Sequence, residues 1–171
     1  MKKNFRLNII GCLFFLALLT SCSGWHLRGS EEAGLSLNSS VFLSGQASAT
    51  YRIIEKSLTR KNLLTTALNS DLLLDLGREH IQRRSASSNA DATTAEFELI
   101  LTLNYEIRDA QQILLRPKST LRITRSYKFD QDDIGGSSKE EALLGKDLQR
   151  AAARQLIRQL TLLDRTRSKT N

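Results

Sequence analysis

Between Phe97 and Arg108 the chain alternates. Phe97, Leu99, Leu101, Leu103, Tyr105 and Ile107 are apolar. Glu98, Thr102, Asn104, Glu106 and Arg108 stand between them, and Ile100 is the one exception. A period of two over that length describes a strand with one face in a core and one in water. It excludes an all-helical chain and requires partner strands and a layer to cover the apolar face. A partner follows: Leu121, Ile123, Tyr127 and Phe129 alternate with Arg122, Thr124, Ser126 and Lys128. The two runs are expected to pair as a hairpin across a connection that holds Pro117, which has no N–H for a central ladder. Arg125 is in phase with the apolar face. Either it lies near an edge and snorkels to water, the commoner arrangement, or it faces a partner or an anionic ligand.

The other elements are assigned by the same reading. Val41, Phe42 and Leu43, between Ser-rich and Gly-containing stretches, read as a short first strand. Ser48 precedes a helical spacing of Tyr51, Ile54 and Leu58, and Asn62 suits a left-handed stop. Leu63 to Leu76 settles on neither period. Leu72, Leu74 and Leu76 are read as one face of a second strand running to about Gln82, because Gly77 breaks a helix. Residues 84–94 are small and polar, as in a loop, and Asp130 to Ser137 form a second polar loop with Gly135-Gly136. Ser138 and Glu141 fit a capping box, opening a helix to about Leu163. Its apolar stripe is Leu144, Leu148, Ala151, Ala152, Leu156, Leu160 and Leu163. Lys146, Arg150, Arg154 and Arg158 make a solvated row opposite. From Asp164 onward the chain is polar and is expected to fray. The resulting fold class is α+β: two helices on one face of a four-stranded, largely antiparallel sheet, a two-layer sandwich.

The N-terminus sets the setting. Lys2, Lys3 and Arg6 precede an apolar run from Leu7 to Leu19, too short for a bilayer span of about 20 residues and suited to a signal peptide. Leu19-Thr20-Ser21-Cys22 then reads as a bacterial lipobox. Residues 1–21 would be the signal peptide and Cys22 the first mature residue, an N-palmitoyl and S-diacylglycerol cysteine, since several acyl chains hold where one holds only reversibly. Residues 22–34 would be an extended lead, 35–163 the domain and 164–171 a disordered tail. The residue after the cysteine is Ser23 and not Asp. By analogy with lipoprotein sorting this sends the protein to the outer membrane, lipid-anchored on the periplasmic side.

This setting limits function. The mature 150 residues are enough for one core and carry 22 basic against 18 acidic residues, a net +4. That favours anionic partners such as phosphorylated lipids and does not by itself indicate nucleic acid. Cys12 leaves with the signal, so no disulfide, cysteine metal site or thiol nucleophile is expected. His26 and His80 lack metal-type spacing, and His80 reads as structural. No Gly-x-Ser-x-Gly run and no phosphate-cradling glycine loop occurs. Asp132-Asp133 and Glu140-Glu141 read as solvated or capping acids. The expectation is a protein that is not an enzyme, with no cofactor and no metal.

Three ordered stretches bring in a resemblance. They are Gly24-Trp25-His26-Leu27-Arg28 behind the cysteine, Ala95-Glu96-Phe97-Glu98-Leu99-Ile100-Leu101-Thr102 opening the long strand, and Arg150-Ala151-Ala152-Ala153-Arg154-Gln155-Leu156-Ile157-Arg158-Gln159-Leu160 in the last helix. With Arg125-Ser126 between, the chain resembles the LPS-assembly lipoprotein LptE (RlpB) family. Ser23, between the cysteine and the Gly-Trp-His run, is a departure. The resemblance implies two helices on a four-stranded sheet. It implies a plug in a 1:1 complex with the β-barrel LptD, whose assembly it aids, and delivery of lipopolysaccharide to the outer leaflet. It also implies lipopolysaccharide binding by basic residues at one end of the sheet, here Arg83, Arg84 and Lys139. The middle of the 84–94 loop has Asn89, Ala90 and Asp91 and no cation. The alternatives are a pilot lipoprotein for another outer-membrane assembly and a tethered periplasmic hydrolase.

Overall fold

The computed structural model describes residues 37–88, 94–130 and 132–170. Cys22, His26 and the lead lie outside the described residues, as does the middle of the 84–94 loop. The elements are β1 (Val41–Gly45), α1 (Ala49–Arg60), a 3-10 turn (Ala67–Asn69), β2 (Leu72–Ser88), β3 (Thr94–Asp109), β4 (Leu114–Asp130) and α2 (Ile134–Thr170). The sheet order is β1-β2-β3-β4, with β1 parallel to β2 and the two other pairings antiparallel. The expected two-layer α+β architecture is present, and its sheet is mixed. A parallel neighbour needs a crossover, and α1 supplies it.

The core lies between the helices and one face of the sheet. Leu72, Leu74 and Leu76 of β2, Leu101, Leu103 and Ile107 of β3, Ile54 and Leu58 of α1, and Leu148, Leu156 and Leu160 of α2 are all buried in it. Ile100, the exception to the alternation, is also buried, but its register between Gln82 and Thr124 puts it on the face opposite the helices.

The ends of α1 follow local chemistry. The Ser48 hydroxyl accepts from the Tyr51 N–H at 3.2 Å. At the other end Asn62 has φ +54°, the Asn62 N–H donates to Thr59 O and the Leu63 N–H to Leu58 O, both at 3.0 Å. That is the paired closure of a Schellman stop. Gly45, at φ +110°, turns β1 toward α1 where a Cβ would lie 1.9 Å from Leu76 O.

Several boundaries differ from the sequence reading. β2 continues to Ser88, so Arg83 and Arg84 are strand residues and not loop residues. β4 starts at Leu114 and includes Pro117. As the last strand it is an edge, and Pro117 sits where the register jumps between Tyr105↔Ser119 and Ile107↔Arg116, a bulge that asks it for no ladder bond. The Ser138–Glu141 capping box does not form. α2 begins at Ile134, and the Asp133 carboxylate accepts from the Gly136 N–H at 2.9 Å. Gly136 allows this, because a Cβ there would lie 2.2 Å from that carboxylate.

α2 also outruns its expected end at Leu163 and continues to Thr170. Tertiary bonds hold the polar last turns. Asp164, buried, accepts from the Ser39 hydroxyl and, at 3.2 Å, from the Asn38 N–H. Arg167 donates to Asp71 O at 2.8 Å. The Asp71 carboxylate takes the Ser40 hydroxyl at 2.7 Å and the Ser40 N–H at 2.9 Å. Those bonds, with Arg167 nearby, hold its pKa below the ordinary 3.8. No helix among the described residues is long and apolar enough to cross a membrane.

Candidate functional site

One irregularity in β2 decides which residues meet α2. Up to Leu76 the even positions face the helices. Pairing then jumps from Leu76↔Tyr105 to Glu79↔Leu103, so Gly77 and Arg78 together oppose one β3 residue. Such a bulge reverses the alternation beyond it. Glu79, Ile81 and Arg83 therefore face the helix layer, and His80, Gln82 and Arg84 face the other side.

Arg83 consequently reaches α2. Its Nη1 donates to Glu141 Oε2 at 3.2 Å, and the Tyr127 hydroxyl donates to the same oxygen. The guanidinium carbon lies 4.7 Å above the Phe97 ring centroid, within cation–π range. Phe97 in turn sits 5.9 Å from Tyr127 and 5.6 Å, edge-on, from Phe129. Arg83, Glu141 and three aromatic rings thus form one cluster over the end of the sheet. The Tyr127 oxygen and the Glu141 carboxylate raise the pKa of Arg83. Burial, and then the bond to Glu141, raises that of Tyr127 above 10.0.

Beside this cluster α2 stands off the sheet. Ser138, Glu141, Ala142 and Gly145 of α2, of which Ser138 and Ala142 are exposed, line with Ile81 and Leu99 a hollow of about 350 Å³ that opens to the surface. Below it Leu148, Ala152, Leu156 and Leu160 are fully buried. An added Cβ at Gly145 would meet nothing within 4 Å.

The three sequence-predicted cations share this end of the sheet but not one face. Arg83 is in the cluster. Arg84 is on the opposite face and pairs with Glu98 at 2.6 Å. Lys139 is exposed on the second turn of α2, two positions from Glu141 and so directed elsewhere around the helix. Arg125 pairs with Asp147 of α2 at 3.0 Å. It thus lies on an edge strand and is 41% exposed, as the first reading has it, and it also meets a carboxylate of α2. Lys146, Arg150 and Arg158 are exposed, and Arg154 lies 4.0 Å from Asp147. His80 is exposed. Among the described residues no group of three or more His, Cys, Asp or Glu could hold a metal ion.

Sequence reasoning missed Glu141 as the anchor of Arg83, and Gly145 as the gap. A signal for the rings is present in the sequence, since Phe97 lies in the apolar phase of its strand and Tyr127 and Phe129 in that of the next. No sequence signal fixed the phase of Arg83, because a bulge moves it. Chemically, the cluster offers a guanidinium for charge-assisted bonds to an anionic oxygen, beside an apolar hollow.

The fold and this end of it can be compared with known proteins. The LptE family, described as "Lipopolysaccharide-assembly", matches residues 38–160. The chain belongs to the LptE family. That span takes in the whole sheet, α1 and most of α2. Solved structures share the LptE fold. Rare lipoprotein B from Shewanella oneidensis has a TM-score of 0.66 at 20% identity, covering 75% of this chain and 98% of that one. A lipoprotein B from Nitrosomonas europaea gives 0.60 at 22%, covering 71% and 81%. A minor lipoprotein from Acinetobacter baumannii gives 0.58 at 21%, covering 72% and 90%.

Proposed function

We propose that this chain is an outer-membrane lipoprotein, anchored through acylated Cys22, that plugs and helps assemble the β-barrel LptD and with it delivers lipopolysaccharide to the outer leaflet, binding lipopolysaccharide itself. The observation that carries the reading is the family match across residues 38–160. The lipobox and Ser23 support the anchor and its membrane. The wet sheet face, with Thr102, Asn104, Glu106, Arg122, Thr124 and Lys128, is mixed in charge, which suits enclosure in a polar lumen. Lipopolysaccharide carries phosphates, and Arg83, Arg84 and Lys139 stand at one end of the sheet to meet them. Lys139 is the most accessible of the three in this reading, since each arginine already holds a carboxylate.

A pull-down through this chain in mild detergent, read by mass spectrometry, tests the partner. LptD is expected, and a secretin ring in its place would transfer the protein to the pilot class. The Lys139→Asp variant is expected to weaken lipopolysaccharide binding while LptD is still recovered. Unchanged binding by the folded variant would reject the Lys139 assignment. Intact mass of the mature N-terminus tests Cys22: three acyl chains are expected, and an unmodified Met1 would remove the anchor.

A further inference from the structure

Resting on the proposed reading of lipopolysaccharide as ligand, we infer that the hollow between α2 and the β2–β3 strands takes one of its acyl chains, with the phosphorylated sugar held outside at Arg83.

Four observations converge on this. Four of the six residues that line the hollow, Ile81, Leu99, Ala142 and Gly145, are apolar, and Ser138 and Glu141 are the polar ones. Its volume, about 350 Å³, is at the small end of the roughly 300–1,000 Å³ range of ligand sites, enough for one chain and too little for a whole glycolipid. Its wall includes Glu141, the residue that holds Arg83, so an amphiphile entering there brings its charged end to a guanidinium. Arg83 is half-exposed and Glu141 is about one-third exposed, so an incoming phosphate can share or displace the carboxylate. The half-exposed guanidinium of Arg83 beside the hollow matches an anionic head, and Ile81 and Leu99 match a hydrocarbon tail.

Gly145 makes the inference testable without disturbing the fold. A side chain added there projects into empty space, and glycine is the costliest ordinary residue in a helix interior apart from proline. The Gly145→Leu variant is therefore expected to fold at least as stably as the parent while filling the hollow.

The test measures binding of the full lipidated protein to purified lipopolysaccharide and to the same molecule stripped of its fatty acids. The parent is expected to bind the acylated form at least about tenfold more tightly, each buried methylene adding to the difference. Gly145→Leu is expected to lose about tenfold toward the acylated form and nothing toward the stripped saccharide. If the parent binds neither form, the lipopolysaccharide reading itself fails. If the parent binds both and Gly145→Leu binds the acylated form undiminished, the acyl slot alone fails. A photo-crosslinking residue in place of Ala142 gives a second readout. Labelling on the fatty-acid portion supports the slot. Labelling only on sugar, on a phosphatidylglycerol competitor or on a second copy of the protein overturns it.

Discussion

Glu79 joins three elements, and its replacement separates two contributions to their stability. It is the first residue of β2 beyond the bulge. Its Oε2 accepts from the Thr50 N–H at 3.1 Å, and its Oε1 from Gln149 Nε2 of α2 at 3.1 Å. The first turn of α1 contains no acid of its own, so Glu79 supplies the negative charge that a helix N-terminus favours. Glu79→Gln keeps the hydrogen bonds. Its carbonyl can take the Thr50 N–H, and its amide can meet a flipped Gln149 amide, since both groups carry donor and acceptor. Only the charge is lost, a cost of about 1 kcal/mol within the range for partly buried helix–charge pairs. Glu79→Ala also leaves the Thr50 N–H without its partner, which adds about 2 kcal/mol for a bond to a charged group. With a urea slope of about 2 kcal/mol/M, the midpoints are expected to fall by about 0.5 M for Gln and about 1.5 M for Ala. Equilibrium urea unfolding followed by circular dichroism reads both. Equal losses for the two variants, or a Gln variant as stable as the parent in low salt, would refute the division of labour.

Three further outcomes follow from local geometry. Gly136→Ala and Gly145→Ala make the same change in the same helix, and the second is expected to be the more stable of the two. Both gain up to about 1 kcal/mol of helix propensity, but a Cβ at Gly136 expels the Asp133 carboxylate, a lost cap that costs about 1 kcal/mol; paired thermal melts check the difference. Asp71 has a depressed folded pKa, so its contribution is present above the ordinary 3.8 and is lost as pH falls through the lower folded value; Asp71→Asn is expected to be less stable at pH 6 and to lose less on acidification to pH 2, in a pH series of urea midpoints. Tyr127, with a raised pKa, contributes stability that is present below pH 10 and is lost as pH rises through the folded value; Tyr127→Phe is expected to flatten the stability profile between pH 9 and 11.

The parts of the fold legible in the sequence are those set by patterns that survive tertiary context. β3 reads as a strand because twelve residues keep one period with a single exception. Asn62 reads as a stop because its tolerance of positive φ is intrinsic. The second helix was legible in its middle and misread at both ends. At the start, Gly135-Gly136 reads as loop chemistry, yet Gly136 is the vacancy that lets Asp133 reach back to the backbone. At the end, Asp164, Arg165 and Arg167 read as a solvated tail, since nothing local reveals that Ser39 and Asn38 wait for Asp164. Both errors arise where a polar residue is satisfied by a partner more than a hundred positions away or by a missing side chain.

The candidate site was harder to read for a related reason. In the sequence Arg83 and Arg84 read together as cations leading into a loop, and as neighbours on a strand they must point to opposite faces. Which of them meets α2 depends on the single extra residue in β2 at Gly77–Arg78. Without that bulge the alternation begun at Leu72 would carry Arg84 inward, and Ile81 would turn away from the core with Arg83. The bulge exchanges them, so that Arg83 lies across Phe97 and Ile81 lines the hollow. It also brings Glu79 inward beneath the start of α1. One added residue therefore sets both the charge that caps the first helix and the charge that stands at the mouth of the gap under the second. The tight half of the sandwich, from Leu148 to Asp164, supplies a rigid base. Above it, where Ser138, Glu141, Ala142 and Gly145 line the hollow, the surface stays open beside a guanidinium. In this chain the position of one bulge decides where that opening lies.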